Sequence, residues 1–282
     1  MKISPECHRC LRKLVRQAAG LATEDERLRQ RAEEEAMSIL DREFFVAPVS
    51  IVVATRIHKV IRDVTGNPDP YRAMKENELA IARELFPGVK LQYLQSKDAL
   101  GDYIRLAAAA NAIDFFRSPV VIAEDMKRGV VFAIDDSEKF EAKLRSAAKV
   151  LYLADNAGEI YFDLPLVKKL REQHEVKYVV KPSPVQDDAT IEDVKNTGLE
   201  DEFGAVITTG VASPGIILDL ASTQFRWEFS SADLIIAKGM GHYESLSELP
   251  PEGKVLYCLM AKCDPVASSI GVPRNSYIVM LR

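Results

Sequence analysis

Apolar residues recur at helical spacing through the first ~115 residues and at strand-like intervals afterwards, so two structural regimes follow each other along the chain. Ser4 followed by Pro5 supplies an N-cap and a first-turn proline, and Leu11, Leu14, Val15 and Ala18 continue as one helical stripe. Thr23 with Glu26 three residues on predicts a capping box for a second, highly charged helix to about Arg42. Residues 51–64 are apolar nearly all round, with Thr55, Arg56, Lys59, Arg62 and Asp63 as the one polar stripe. That pattern predicts a buried third helix, ended by Gly66, with His58 as a satisfied core histidine on its apolar face. Asp69-Pro70 caps a fourth helix through Phe86, and a fifth runs from Ala99 to about Phe116.

Beyond that point short apolar runs at 150–154, 177–180, 205–208, 234–237, 255–260 and 277–281 alternate with helical patterns. Such alternation predicts an α/β fold with a mostly parallel sheet covered by helices on both faces. The runs 120–123 and 130–133 read as a hairpin near the junction. The expected division is an all-helical part over 1–116 and an α/β domain over 117–282, with the two able to share one core.

Composition narrows the class. The chain has 282 residues, 47% of them apolar, and enough Leu, Ile, Val and Phe to exclude disorder. No apolar run approaches the ~18 residues a membrane helix needs. The opening Met1-Lys2-Ile3-Ser4-Pro5-Glu6 has no apolar stretch behind it, so no signal peptide and a cytoplasmic location are expected. A net charge of −5 argues against a general nucleic-acid binder, and four cysteines are too few for a disulfide scaffold.

In an open α/β sheet the ligand sits beyond the carboxyl ends of the strands, so the residues after each run matter most. The first run leads into Asp155-Asn156-Ala157-Gly158-Glu159 and the second into Lys181-Pro182 and on to Asp187-Asp188-Ala189-Thr190. The fourth leads into Lys238-Gly239-Met240-Gly241-His242 and the fifth into Lys262-Cys263-Asp264-Pro265. Asp155, Asn156 and Asp188 are hard oxygen donors of the kind that suits Mg²⁺ or Mn²⁺. Lys238 and Lys262 suit an anion, and Gly239 and Gly241 allow backbone amides to approach phosphate oxygens. Turn chemistry is the competing reading: Asp-Asn-Ala-Gly forms ordinary turns, and Thr190 with Asp193 is a capping box.

At these motifs the chain resembles the damage-control phosphatases, once catalogued as domain of unknown function 89. The combination Asp155-Asn156-Ala157-Gly158-Glu159, Asp188-Ala189-Thr190, Lys238 to Glu244 and Lys262 to Ala267, in that order, carries the resemblance. Cys7-His8-Arg9-Cys10 and Asn67-Pro68-Asp69-Pro70-Tyr71 are similar to its prokaryotic, archaeal branch. The resemblance implies a Rossmann-like domain under a helical part, and phosphatase activity on sugar phosphates or related damaged phosphometabolites. It also implies a divalent metal, Mn²⁺ or Ni²⁺ foremost and Co²⁺ or Mg²⁺ next, held by the residues matching Asp155, Asn156 and Asp188. One departure is His242, where many members have Asn; it is a candidate for binding substrate or shuttling a proton, with a packed loop residue as the alternative.

Secondary candidates remain. Glu159 is the one candidate general base, and Asn111 with Asp114 resembles a further family motif expected to act behind the site. Cys7 and Cys10, spaced i and i+3 in the first turn of a helix, suit a redox or metal role because a helix N-terminus lowers thiol pKa. Packing on the Leu11-Leu14 face is the alternative, and a four-thiolate zinc site with Cys258 and Cys263 requires the two ends of the chain to meet. The expected reaction is hydrolysis of a small phosphorylated metabolite by direct water attack rather than through an aspartyl-phosphate on Asp155. A carboxyl methyltransferase and a non-catalytic metabolite-binding or redox-sensing protein are the competing functions. Nothing in the pattern sets an oligomeric state.

Overall fold

Ser4 opens the first helix, α1 (Pro5–Ala22), by accepting from the Glu6 amide, with Pro5 where no donor is required. The second, α2 (Glu26–Glu43), is capped by Asp25 and not by Thr23. The Asp25 carboxylate accepts from the Arg27 and Leu28 amides at 2.9 and 3.1 Å, while Thr23 only accepts from the Asp25 amide. A carboxylate that reaches two free amides displaces a hydroxyl two residues upstream. The third, α3 (Ser50–Thr65), ends at Gly66 with φ of +69°. These helices close a core of their own around Leu11, Val15, Leu40, Val53, Ile57 and Ile61. His58 is buried there, edge-on to Tyr71, but its Nε2 has no hydrogen-bond partner among the described residues.

Residues 1–47, 49–94, 99–112, 124, 126 and 128–282 are described by the structure, a computed structural model. Helix α4 (Arg72–Tyr93) starts later than expected, because Asp69 turns to the Tyr71 amide and the Lys75 ammonium. It also continues through Pro87: Phe86, Val89 and Tyr93 pack on the sheet core and keep the chain on a helical path. With α5 (Leu100–Ala109) and the following turn Ala110–Ala112, α4 shares that core over most of its length, while Met74 at its start packs on α1–α3. The expected end of the fifth helix, the run 120–123, Asp114 and the boundary at 116–117 lie outside the described residues.

The sheet has seven strands: β1 (Phe132–Asp135), β2 (Lys149–Leu153), β3 (Glu175–Val180), β4 (Ala205–Thr208), β5 (Leu234–Lys238), β6 (Val255–Met260) and β7 (Tyr277–Leu281). Their order is β1-β7-β6-β5-β2-β3-β4, and every pairing is parallel except β6–β7. The part of the expected hairpin at 130–133 that is described becomes β1, which pairs in parallel with distant β7. The connecting helices are α6 (Ser137–Leu144), α7 (Ile160–Arg171), α8 (Ile191–Thr197), α9 (Glu200–Phe203), α10 (Thr223–Ser231), α11 (Gly239–Leu246) and α12 (Asp264–Ile270). Separate apolar layers cover the two sheet faces. Strand order reverses at β2: β3 and β4 build outward on one side, β5 and β6 on the other. That switch point opens a crevice at the carboxyl ends of β2 and β5. Among the described residues no helix is long and apolar enough to cross a membrane.

Candidate active site

Leu153, the last residue of β2, is in register with Val179 of β3 and Ala237 of β5. Past β3 the chain loops out and folds back on the end of β2. The Ala189 amide donates to the Asp155 carbonyl and the Ala157 amide to the Asp187 carbonyl, both at 2.8 Å. Asn156 and Asp188 consequently pair as an isolated antiparallel bridge, which sets Asp155, Asn156 and Asp188 side by side. Arg62 of α3 donates to the Pro184 carbonyl, so the helical part tethers this loop. Directly after it the Thr190–Asp193 capping box starts α8.

Asp155, Asn156 and Asp188 line one cavity of about 490 Å³ together with Asn111, Met240, Gly241 and Lys262. Its opposite wall comes from α1, where Cys7, Cys10, Leu11 and Leu14 share a helix face, and from Ile51 and Ala54 of α3. The floor is strongly acidic. Desolvation, then Glu159 and Asp188, hold the Asp155 carboxyl well above the usual carboxylate range. Burial pushes Asp188 up to about 7, against the opposing pull of Lys181. Four carboxylates (Asp155, Glu159, Asp163 and Asp188) cluster here with two buried ammoniums, Lys181 and Lys238. When all are ionised, negative charge exceeds positive in this cluster, and Asp187 beside Asp155 and Asp188 adds to it. Asp188 Oδ2 is buried without a directed hydrogen bond, although Lys181 Nζ stands 3.4 Å away. Two carboxylates and an amide fit a hard cation that shares its remaining positions with phosphate oxygens. Among the described residues no three His, Cys, Asp or Glu side chains converge on one point, so Asn156 is needed to complete such a set.

Four expectations fail on geometry. Lys238 does not reach the cavity: its fully buried ammonium donates to Glu159 at 2.6 Å, Asp163 at 2.7 Å and the Ala107 carbonyl at 2.9 Å. A three-donor ammonium with three acceptors has nothing left for phosphate. Glu159, fully buried, has one oxygen on Lys238 and the other on Asn111 at 2.8 Å, so it is no general base. Gly239 is a glycine for another reason than phosphate contact: with φ of +78°, a Cβ would stand 1.9 Å from Asp155 Oδ2. His242 is buried behind the floor and bonded to Lys238 and Lys181. Gly241 does line the cavity, pressed against the Pro214 carbonyl so closely that a Cβ would meet it at 1.8 Å.

Asn111 joins the helical part to the site. Its Nδ2 donates to Asp155 Oδ2 at 3.1 Å and to Glu159, and its Oδ1 accepts from the Met260 amide at 2.9 Å. Lys262 lines the cavity with no ion pair among the described residues. Lys181 is the residue that the loop motifs did not single out; its only signal was a lysine directly after an apolar run.

The cysteines divide. Cys7, Cys10 and Cys263 line the cavity, whereas Cys258 is buried within β6, so the four thiols do not meet. Instead of being lowered by the helix terminus, the Cys7 thiol is raised, by burial first and then by the charge of Glu244. Burial likewise carries Cys263 up to about 11. Cys7→Ala should therefore cost about 1 kcal/mol and Cys10→Ala about 0.5 kcal/mol or less in denaturant unfolding. Alkylation of both at pH 7.5, followed by mass spectrometry, should run no faster than on free cysteine; a faster rate would restore the redox reading.

Comparison with known proteins supplies the family and the fold. Residues 3–278 match the model of the damage-control phosphatase ARMT1-like domain. The chain is 35% identical to a damage-control phosphatase of Archaeoglobus fulgidus over 96% of both chains, and 33% identical to one of Pyrococcus horikoshii over 99% of this chain and 98% of that one. It is also 36% identical to an uncharacterized protein of Methanocaldococcus jannaschii, over all of this chain and 96% of the other. The crystal structure of a DUF89 family protein from Pyrococcus horikoshii superposes with a TM-score of 0.90 at 33% identity, covering 100% of this chain and 99% of that one. With its acidic strand-end cavity and a family match over nearly its whole length, the chain belongs to the damage-control phosphatase ARMT1-like family.

Proposed function

We propose that this chain is a divalent-cation-dependent phosphomonoesterase acting on a small phosphorylated metabolite. The observation that carries the reading is the meeting of Asp155, Asn156, Asp188 and Lys262, which has no ion pair among the described residues, in one cavity at the switch point of the sheet. Asp155, Asn156 and Asp188 would hold the cation. When bound, such a cation polarises a phosphoryl oxygen and offsets the charge developing on it. Lys262 supplies a mobile positive charge for the remaining phosphate oxygens, and the start of α11 at Met240 and Gly241 adds the partial positive end of a helix. Asn111 orients the Asp155 carboxylate from behind. Leu11, Leu14, Ile51 and Ala54 place apolar surface opposite the floor, which lowers the local dielectric and strengthens its electrostatics. A cavity of about 490 Å³ suits sugar phosphates and compounds of similar size.

The test is a panel of sugar phosphates, nucleotides and p-nitrophenyl phosphate, assayed after chelation and again with Mn²⁺, Ni²⁺, Co²⁺ or Mg²⁺ restored. Chelation should lower turnover by about a hundredfold or more, and one of the hard divalent ions should restore it. Undiminished turnover in chelated protein would overturn the cation requirement.

A further inference from the structure

The site has a second layer in which two buried side chains face each other. His242 sits one turn into α11, and its Nδ1 lies 2.6 Å from the Lys238 carbonyl. A carbonyl only accepts, so Nδ1 carries the proton and Nε2 presents a lone pair. That lone pair faces the Lys181 ammonium at 3.5 Å, and the Gly215 carbonyl takes a second Lys181 proton at 3.0 Å. Burial and the Lys181 charge hold His242 down to about 3, so the ring is a neutral acceptor at physiological pH. Lys181 is drawn to that side. It consequently stands 3.4 Å from Asp188 Oδ2 without a directed hydrogen bond, and this oxygen has no other hydrogen-bond partner among the described residues.

We infer that His242 and the Gly215 carbonyl hold Lys181 in an ion pair with Asp188 at 3.4 Å that stops short of a directed hydrogen bond, keeping Asp188 Oδ2 open to a divalent cation in the cavity. The inference rests on the proposed cation site and makes His242 a positioning residue. A buried ammonium beside a buried carboxylate, left unpinned, closes into a direct charge-assisted hydrogen bond. The ammonium then competes with the cation for the same oxygen. Asp188 is also the only carboxylate within ion-pair distance of Lys181 among the described residues, with Asp155 acting on its charge from farther off, so Asp188 is the nearest destination of a released Lys181.

Isothermal titration of Mn²⁺ into the full chain, with thermal melts to verify folding, separates the possibilities. Absence of Mn²⁺ binding to the unsubstituted protein would remove the cation site, and this inference with it. Where that protein binds, His242→Leu should weaken Mn²⁺ affinity about 10- to 100-fold, the scale of residues that orient metal ligands. His242→Gln, which keeps an acceptor, should stay within about threefold, and His242→Leu with Lys181→Met should recover the original affinity because the competitor is gone. Lys181→Met alone should bind at least as tightly as the unsubstituted protein, and this result decides the matter if His242→Leu fails to fold. Unchanged affinity in folded His242→Leu, or a tenfold loss in Lys181→Met, would overturn the pinning role; the second result would mean that Lys181 orients Asp188 instead.

Discussion

Asp155→Asn should lower phosphomonoesterase turnover about a thousandfold, near 4 kcal/mol of barrier, while leaving the fold intact. The amide keeps the size of the side chain, its seat against Gly239 and an oxygen for the Asn111 amide. What disappears is one of the two carboxylate charges offered to a cation. Stability should move in the opposite direction. Asp155 has its pKa raised in the folded chain, so its neutral form is favoured and its ionisation costs stability as pH rises through the folded value. At pH 8 without divalent ions the variant should therefore melt at or above the temperature of the unsubstituted protein; the gap should open as pH rises from the ordinary aspartate value of 3.8 towards the raised folded one, and below 3.8 the two should coincide. Added Mn²⁺ should raise the melting temperature of the unsubstituted protein and leave that of the variant nearly unmoved. A variant that melts far lower would mean that Asp155 serves the fold, and equal turnover would remove it from the site.

Lys238→Met should destabilise the protein by about 3–5 kcal/mol, measured as a drop in the urea midpoint. Its ammonium is the counter-charge of Glu159 and Asp163, all three wholly inaccessible to solvent. Burial opposes the charge on Lys238, but Asp163 and Glu159 more than offset it and keep the side chain protonated. Without it, two carboxylates remain in the core with only Asn111, Tyr152 and Tyr178 as hydrogen-bond donors among the described residues. Neutralising both acids in the same chain, with Glu159→Gln and Asp163→Asn, should return much of the loss, because an apolar or amide network needs no counter-ion. Were Lys238 a phosphate ligand, the single substitution would raise KM and leave the urea midpoint in place.

Much of the architecture was legible along the chain because periodicity records burial directly. The six apolar runs from residue 150 onward are the strands β2 to β7, and the near-continuous apolarity of 234–237 and 255–260 belongs to strands buried on both faces. Local stereochemistry was legible wherever one donor and one acceptor decide it, as at Ser4 and in the Thr190–Asp193 box. It misled where a nearer competitor exists: Asp25, two residues nearer the helix, caps the Arg27 and Leu28 amides in place of Thr23, and packing of Val89 carries α4 past Pro87. The loops after β2 and β3 marked Asp155, Asn156 and Asp188 as polar groups at the rim of a sheet, and the backbone bonds between those loops bring them together.

The lysines show where reading along the chain stops. Lys181, Lys238 and Lys262 each follow an apolar run, and nothing in their neighbours distinguishes them. In the folded chain Lys262 faces the cavity, Lys238 is enclosed by Glu159, Asp163 and the Ala107 carbonyl, and Lys181 stands beneath Asp188. The same holds for Glu159, which shares a motif with Asp155 yet points into the core. The alternation of strands and helices and the polar character of the strand ends were set by the sequence, since these depend on spacing and residue type. The switch point at β2 follows instead from the strand order of the folded chain. Only the tertiary structure decided which charges meet solvent and which are sealed, because a charged group takes its role from the partners within a few ångströms, and α5, α7 and β6 bring those partners from distant stretches of the chain.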